Sequence, residues 1–177
     1  MKKMRTEKRK LFFTVVKTRI CPIGVAASER GIVYIELNCP GAKNFGRMLA
    51  GRFDEDVVFK PAVPILRQAA RQLTKYFTGK RRSFDLPLDL RSKGFTRRVQ
   101  KEVARIPYGK TATYGEVAHR VKSPRAARAV GGAVGANPIP IIIPCHRVIA
   151  AGGKLGGFGG GLTLKRKLLE LEKRFLF

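Results

Sequence analysis

The residues with the clearest chemical meaning are Pro144-Cys145-His146-Arg147. A cysteine is nucleophilic as its thiolate, and neighbouring cations favour that form. His146 and Arg147 follow Cys145 directly, so the segment has the composition of a reactive thiol centre. The approach to it is Asn137-Pro138-Ile139-Pro140-Ile141-Ile142-Ile143. Its prolines, with Pro144, fix φ and remove N–H donors, which makes the run stiff, extended and unsuited to a central strand. Such a run delivers Cys145 to a defined place. In an extended chain, however, successive side chains point to opposite faces. His146 therefore reaches Cys145 only if the backbone bends there or a water bridges the two. Taken alone, such a pair reads by default as a buried, inert thiol beside a surface imidazole.

Helices and strands must hold this segment in place. Phe95, Val99 and Val103 share one face of a helix that has to stop near Ile106-Pro107-Tyr108-Gly109. Tyr114–Val121 and Pro124 to about Val134 read as two short helices around a tight junction at Lys122-Ser123, with Ser123 as N-cap and Pro124 at N1. This is helix-turn-helix spacing, a pattern that any two-helix corner shares. Residues 1–90 have a different texture. Leu11–Val16, Ile23–Ala26 and Ile32–Leu37 are short β-prone runs between Pro, Gly and polar turns. Pro61–Phe77 reads as one helix, with Leu66, Ala70, Leu73 and Phe77 on a face and Gly79 at its end. Asp85–Leu90 is an extended connector, because Pro87 biases Leu86 away from helix. The expected fold class is α+β in two parts, an α/β domain with connector over 1–90 and a mostly helical domain over 91–177.

The 177 residues include 37 Lys and Arg against 12 Asp and Glu, a net charge of +25, with 44% hydrophobic content. That length and apolar content allow a real core. Self-repulsion of so many like charges points to a polyanionic partner, nucleic acid before an anionic membrane. Between Arg91 and Lys154, thirteen basic residues face two acidic ones, Glu102 and Glu116, a net of +11. A merely solvated, thermophile-like surface would carry matching Glu. The arm Met1–Lys10, with six Lys or Arg, is ambiguous between DNA attraction and a disordered tail. Cys21, Cys39, Cys145, His119 and His146 fall in no CxxC or HxxxH spacing, so no structural zinc and no disulfide framework is expected, and Cys21 and Cys39 are read as thiols. Leu11–Ile20 carries Lys17 and Arg19, unlike a secretory signal. Ala129–Cys145 is uncharged but broken by Gly, Pro and Asn, and falls short of the roughly 20 apolar residues of a bilayer span. A cytoplasmic protein without a membrane segment is expected.

These segments together resemble the O6-alkylguanine-DNA alkyltransferases, the methylated-DNA–protein-cysteine methyltransferases. The resemblance is carried by Pro144-Cys145-His146-Arg147-Val148 after Asn137-Pro138-Ile139-Pro140, and by Phe95-Thr96, Ile106-Pro107-Tyr108-Gly109, Thr113-Tyr114-Gly115 and Ala126–Gly132. The Gly-rich stretch to Gly161-Leu162 and Leu168-Leu169 with Glu172 complete it over the C-terminal half. The N-terminal half matches more loosely, through Gln72-Leu73, Tyr76-Phe77, Gly79-Lys80-Arg81 and Phe84–Asp89.

The resemblance implies a ribonuclease-H-like N-terminal domain, a helical domain with a helix-turn-helix, and single-turnover DNA repair. Cys145 would accept the alkyl group of O6-alkylguanine, and of O4-alkylthymine, by in-line displacement. His146, held by Glu172, would take the Cys145 proton through a water, the logic of an oriented imidazole base. Tyr114 would donate to guanine N3, and Arg128 would fill the stack left by the flipped nucleotide. Thr113, Ser123, Arg125, Ala126, Ala127, Ala129 and Gly131 are implied against the minor groove of double-stranded DNA, where small residues allow close approach. Asn137, Pro140, Arg147, Val148, Phe158, Gly159 and Gly160 are implied around the base. No cofactor is implied. A monomer is, with cooperative packing along the duplex left open. The loop Gly156–Gly161 departs from many relatives: Phe158 and Gly159 supply no hydroxyl, and five glycines in six residues are costly to order. Two alternatives remain. One is a non-catalytic alkylated-DNA binder or helix-turn-helix regulator of the same fold, in whose known examples the cysteine is replaced. The other is a cysteine hydrolase built on Cys145, His146 and Glu172.

Overall fold

The computed structural model describes residues 9–175, so the basic arm lies, up to residue 8, outside them. Strands β1 (Lys10–Val16), β2 (Ile23–Ser28) and β3 (Gly31–Leu37) form an antiparallel meander. Strand β4 (Asp56–Phe59) adds parallel to β1, giving the order β3-β2-β1-β4. Side-chain alternation sends the strands' apolar residues to two faces. Leu11, Phe13, Ala26 and Val33 meet helix α1 (Ala42–Arg52) through Phe45 and Leu49. Val16, Ile23, Val25, Ala27, Ile32 and Ile35 share the opposite core with helix α2 (Pro64–Phe77), which contributes Leu66, Ala69, Leu73 and Tyr76. Gly24 permits the close crossing of α1, because a Cβ there would sit 2.7 Å from the Phe45 ring.

The three expected strands are present, and the expected helix starts at Pro64, its N1 position, rather than Pro61. The reading of one helix in this half is corrected by α1, and β4 is also additional. α1 contains Gly46, Gly51 and Asn44, and its buried residues are Phe45 and Leu49. β4 has four residues, behind Asp54-Glu55. Packing against the sheet, rather than intrinsic propensity, forms both. The connector is extended as expected. It runs along β3, where the Ile32 N–H donates to the Pro87 carbonyl at 2.8 Å and the Asp89 N–H donates to the Ile32 carbonyl at 2.8 Å.

Beyond the connector come helices α3 (Gly94–Ala104), α4 (Tyr114–Arg120), α5 (Ala127–Gly135) and α6 (Leu162–Arg174). Two short strands, β5 (Ala112–Thr113) and β6 (Val148–Ile149), pair parallel. The fold is thus α+β, a sheet-bearing N-terminal part and a helical C-terminal part. Val99, Val103, Val117, Val130 and Leu168 join the same apolar cluster as the α2 face of the sheet, so one core runs through both. α4 opens on a reciprocal cap: the Glu116 N–H donates to Thr113 Oγ1 at 3.1 Å, and the Thr113 N–H donates to the Glu116 carboxylate at 2.5 Å. α5 begins at Ala127, not Pro124. Ser123 is the first residue of a turn, its carbonyl accepting from the Ala126 N–H at 2.9 Å. Ser and Pro at the first two positions favour such a turn, so Ser123 is no N-cap. Cys21 and Cys39 are free, buried thiols in different apolar clusters. Among the described residues, no helix is long and apolar enough to cross a membrane.

Candidate active site

The run leading to Cys145 is not extended, as its prolines suggest, but folded back on itself. The Asn137 side chain ties its ends together. Its Oδ1 accepts from the Ile139 N–H at 3.0 Å, and its Nδ2 donates to the Ile143 carbonyl at 2.8 Å. The Ile143 N–H then reaches the Ile139 carbonyl at 2.9 Å, and Ile141 at the apex has φ 73°. A β-branched residue in the left-handed region is strained, and the surrounding bonds must hold it there. Cys145–Arg147 form one 3₁₀ turn, closed by the Arg147 N–H on the Pro144 carbonyl at 2.9 Å. The backbone therefore bends at the Cys-His pair.

Cys145, 6% exposed, lines a cavity of about 370 Å³ together with Tyr114, Gly131, Asn137, Pro140, Phe158 and the glycines after it. Behind it, His146 and Glu172 are wholly buried. His146 Nε2 lies 2.9 Å from Glu172 Oε1, while Nδ1 has no hydrogen-bond partner in the protein. Glu172 also accepts from the Tyr76 hydroxyl at 2.6 Å, from Arg147 Nη2 at 2.8 Å and from the Gly109 N–H at 2.9 Å. Burial alone would raise the Glu172 pKa, but the hydrogen bonds and charges of His146 and Arg147 outweigh it and hold the carboxyl at about 2. Burial depresses the His146 pKa more than Glu172 raises it, so the imidazole is neutral near pH 7. An ionised carboxylate only accepts, which places the imidazole proton on Nε2 and leaves a lone pair on Nδ1.

Burial pushes the Cys145 thiol pKa up, against the opposing effects of a hydrogen bond from the Asn137 amide and the charge of Lys165. Cys145 therefore rests as a thiol that needs a base. This corrects the picture of a thiolate flanked by cations: Arg147 turns away from the cavity, its Nη1 donating to the Ile106 carbonyl at 2.6 Å and its other nitrogens to Glu172. Neither Arg147 nor Val148, both expected around the base, lines the cavity. Val148 is wholly buried and its carbonyl accepts from Lys165 Nζ at 2.6 Å.

The remaining expected residues divide by position. Asn137, Pro140, Phe158, Gly159 and Gly160 line the cavity. Phe158 meets His146 edge-on at 6.4 Å between ring centroids. Tyr114 lies against the Gly-rich loop, where a Cβ on Gly156 would come within 2.9 Å of its hydroxyl, and burial followed by the charge of Cys145 raises its pKa. Arg125, Arg128 and Ala129 are exposed around the first turn of α5, with Ala126, Ala127, Ser123 and Gly131 partly exposed. Arg128 thus sits in the first turn of α5. The Thr113 hydroxyl is engaged in the α4 cap.

Sequence reasoning missed three contributors. Lys165 is wholly buried and donates to the carbonyls of Val148, Leu155 and Gly157, so it pins the Gly-rich loop. Tyr76 reaches Glu172 from α2. Strand β3 supplies a cavity wall through Tyr34, Ile35, Glu36 and Leu37. The available signal for Lys165 was its place beside Leu164 and Leu168 on α6, seven residues before Glu172, on the side that is buried.

Residues 94–174 match the family model described as 6-O-methylguanine DNA methyltransferase, DNA binding domain, and residues 11–90 match the ribonuclease-like domain of the same family. The chain belongs to the 6-O-methylguanine DNA methyltransferase family. Within this family, it is similar to the methylated-DNA–protein-cysteine methyltransferase of Mycobacterium tuberculosis, 58% identical over 105 residues. That match covers 59% of this chain and 64% of the relative, just under two thirds of its length. The methylated-DNA–protein-cysteine methyltransferase of Methanosarcina barkeri is 42% identical over 166 residues, 94% of this chain and 99% of the relative. Among solved structures, M. tuberculosis OGT in complex with DNA aligns with a TM-score of 0.78 at 39% identity, covering 94% of each chain. The methyltransferase family thus accounts for both halves of the chain.

Proposed function

We propose that this chain repairs DNA by one irreversible transfer, moving the alkyl group from guanine O6, and from thymine O4, in double-stranded DNA onto Cys145. The observation that carries this reading is Cys145 opening onto a cavity with a neutral imidazole behind it whose free nitrogen, Nδ1, is the basic one. Cys145 Sγ attacks the alkyl carbon, the carbon–O6 bond breaks, and its electron pair leaves with the guanine. The thiol proton passes through a water to His146 Nδ1, and the resulting imidazolium is stabilised by Glu172. Tyr114, kept protonated by its raised pKa, gives a proton to guanine N3. The thioether formed has no simple route back to thiol, so each molecule acts once.

For access, we assign 1–90 to a ribonuclease-H-like domain and 91–177 to the DNA-binding and active-site domain. The helices α4 and α5 act as a helix-turn-helix that lays α5 in the minor groove. The small residues of α5 support this placement: a Cβ on Gly132 or Gly135 would meet nothing within 4 Å, so internal packing does not require glycine there. Arg128, an exposed cation in the first turn, is poorly placed for the isolated helix because the dipole is positive at that end. Its position suits filling the gap of a nucleotide turned out of the stack, at a cost of a few kcal/mol. The protein acts in the cytoplasm as a monomer that can pack along the duplex.

The test is incubation with a duplex containing O6-methylguanine, followed by peptide mass spectrometry. One methyl group on Cys145 per molecule is expected. The Cys145→Ala variant should bind the duplex and transfer nothing; removal of the methyl group by that variant would refute the assignment.

A further inference from the structure

The segment Gln72-Leu73 with Tyr76-Phe77 has so far no part in the chemistry. Tyr76 belongs to α2 in the N-terminal half, yet it is wholly buried and its hydroxyl donates to Glu172 Oε1 at 2.6 Å, 3.3 Å from His146 Nε2. Three rings fix its own: Phe77 at 5.2 Å, Phe84 at 5.5 Å and Tyr108 at 6.0 Å between centroids. Packing alone would be met by phenylalanine, and a buried hydroxyl is unfavourable unless it is bonded. Here its bonding partner is the acid–base pair behind the nucleophile.

We propose that Tyr76 is a positioning residue for alkyl transfer, its hydroxyl holding Glu172 and the Nε2-protonated form of His146 so that Nδ1 stays free as the base. The inference rests on the reaction proposed above. Tyr76 exchanges no proton in it. Burial, with the charge and hydrogen bond of Glu172, raises its pKa well above the ordinary value, so it acts as a fixed donor. The groups that face His146 are Glu172 and Lys165 from α6, Arg147 and Cys145 beside it, and Tyr76 from α2, with Tyr108 reaching Glu172 and Arg147. At 2.6 Å the bond to Glu172 outweighs the 3.3 Å contact to Nε2. Removing the donor leaves more of the carboxylate charge acting on the imidazole, which raises its pKa.

The test is Tyr76→Phe, which keeps the ring. The acid limb of the transfer rate at saturating duplex should move to higher pH. The rate there falls about five-fold relative to the unsubstituted protein, while the ratio approaches one in mildly alkaline buffer. The dissociation constant for unmodified duplex should not change. Superimposable pH profiles would overturn the proposal. A second measurement needs no variant: long-range proton–nitrogen spectra of the ¹⁵N-labelled full chain should show His146 protonated on Nε2 with Nδ1 bare. A proton on Nδ1 would overturn it even if Tyr76→Phe does not fold. Absence of transfer by the unsubstituted protein sinks the reaction reading instead, and the His146 titration followed in nitrogen spectra, moved to higher pH by Tyr76→Phe or left unmoved, still decides the role of Tyr76.

Discussion

Glu172→Gln keeps the shape of the side chain but exchanges one accepting oxygen for an amide that donates. In the native site every partner of Glu172 is a donor: Tyr76, His146, Arg147 and the Gly109 N–H. The amide would face the Arg147 guanidinium or the Gly109 N–H donor to donor, leaving a cation that is only 5% exposed without its counter-charge. Breaking a buried pair from one side destabilises by roughly 3–5 kcal/mol. An independent route gives a similar figure. A carboxyl brought from the ordinary 4.5 to about 2 contributes, at about 1.4 kcal/mol per pH unit, about 3 kcal/mol to folding. Because the folded pKa is depressed, this stability is complete above about 4.5 and is lost as the pH falls toward about 2. Urea unfolding of both proteins across this range is the assay, and the other carboxylates cancel in the difference. At neutral pH the variant should be less stable by about 3 kcal/mol or more, and the gap should narrow below pH 4.5 as Glu172 of the unfolded chain takes up a proton that the folded protein accepts only near pH 2. A neutral-pH difference below about 1 kcal/mol, or one that does not change with pH, would refute the reasoning.

Lys165→Met should lower stability by about 2 kcal/mol and speed amide exchange across residues 155–157, because the carbonyls it binds lose their shared donor. Calorimetry and hydrogen-exchange mass spectrometry check the two effects. Arg128→Ala should slow transfer from duplex DNA while leaving reaction with the free O6-alkylguanine base unchanged, since Arg128 is exposed on α5 and does not line the cavity. A parallel loss on both substrates would mean that its role is structural. Duplex affinity should fall linearly in log–log plots against salt with a slope of about −0.9 per phosphate neutralised, and Arg125→Ala should lower that slope by about one phosphate. Titrations at several salt concentrations read both.

The parts of the fold that were legible are those in which burial leaves a local period. β1, β2, β3 and α2 carry apolar runs or a repeat on one face, and the structure keeps each of them to within three residues at its ends. α1 and β4 were not legible, because two buried anchors in a Gly-containing helix and a four-residue strand behind acidic residues leave no period to count. Pro124 misled in the other direction, since a proline suits the second position of a turn as well as the first of a helix. In the site, the neighbours Cys145 and His146 could be read from their order. Glu172 came from the family pattern and not from spacing. Tyr76 lies 96 residues from the carboxylate it binds, and Lys165 reads in sequence as one more cation in a basic helix. Only tertiary packing brings such groups together: nothing in the order of residues marks Tyr76, and the spacing of Lys165 to Leu168 and Glu172 marks a buried face without saying what the ammonium binds.

A sheet edge is a template for pairing with another chain. The connector occupies the outer edge of β3 at Ile32 with the hydrogen bonds of Pro87 and Asp89. At Gly31, with φ 146°, a Cβ would stand 2.4 Å from the Pro87 carbonyl oxygen, so any other residue there would push the connector away. The opposite edge, β4, is four residues long with Asp56 at its start and Lys60 just beyond its end. The segment that ties the two halves of the chain together thus also occupies backbone groups of β3 that could otherwise pair with a second copy.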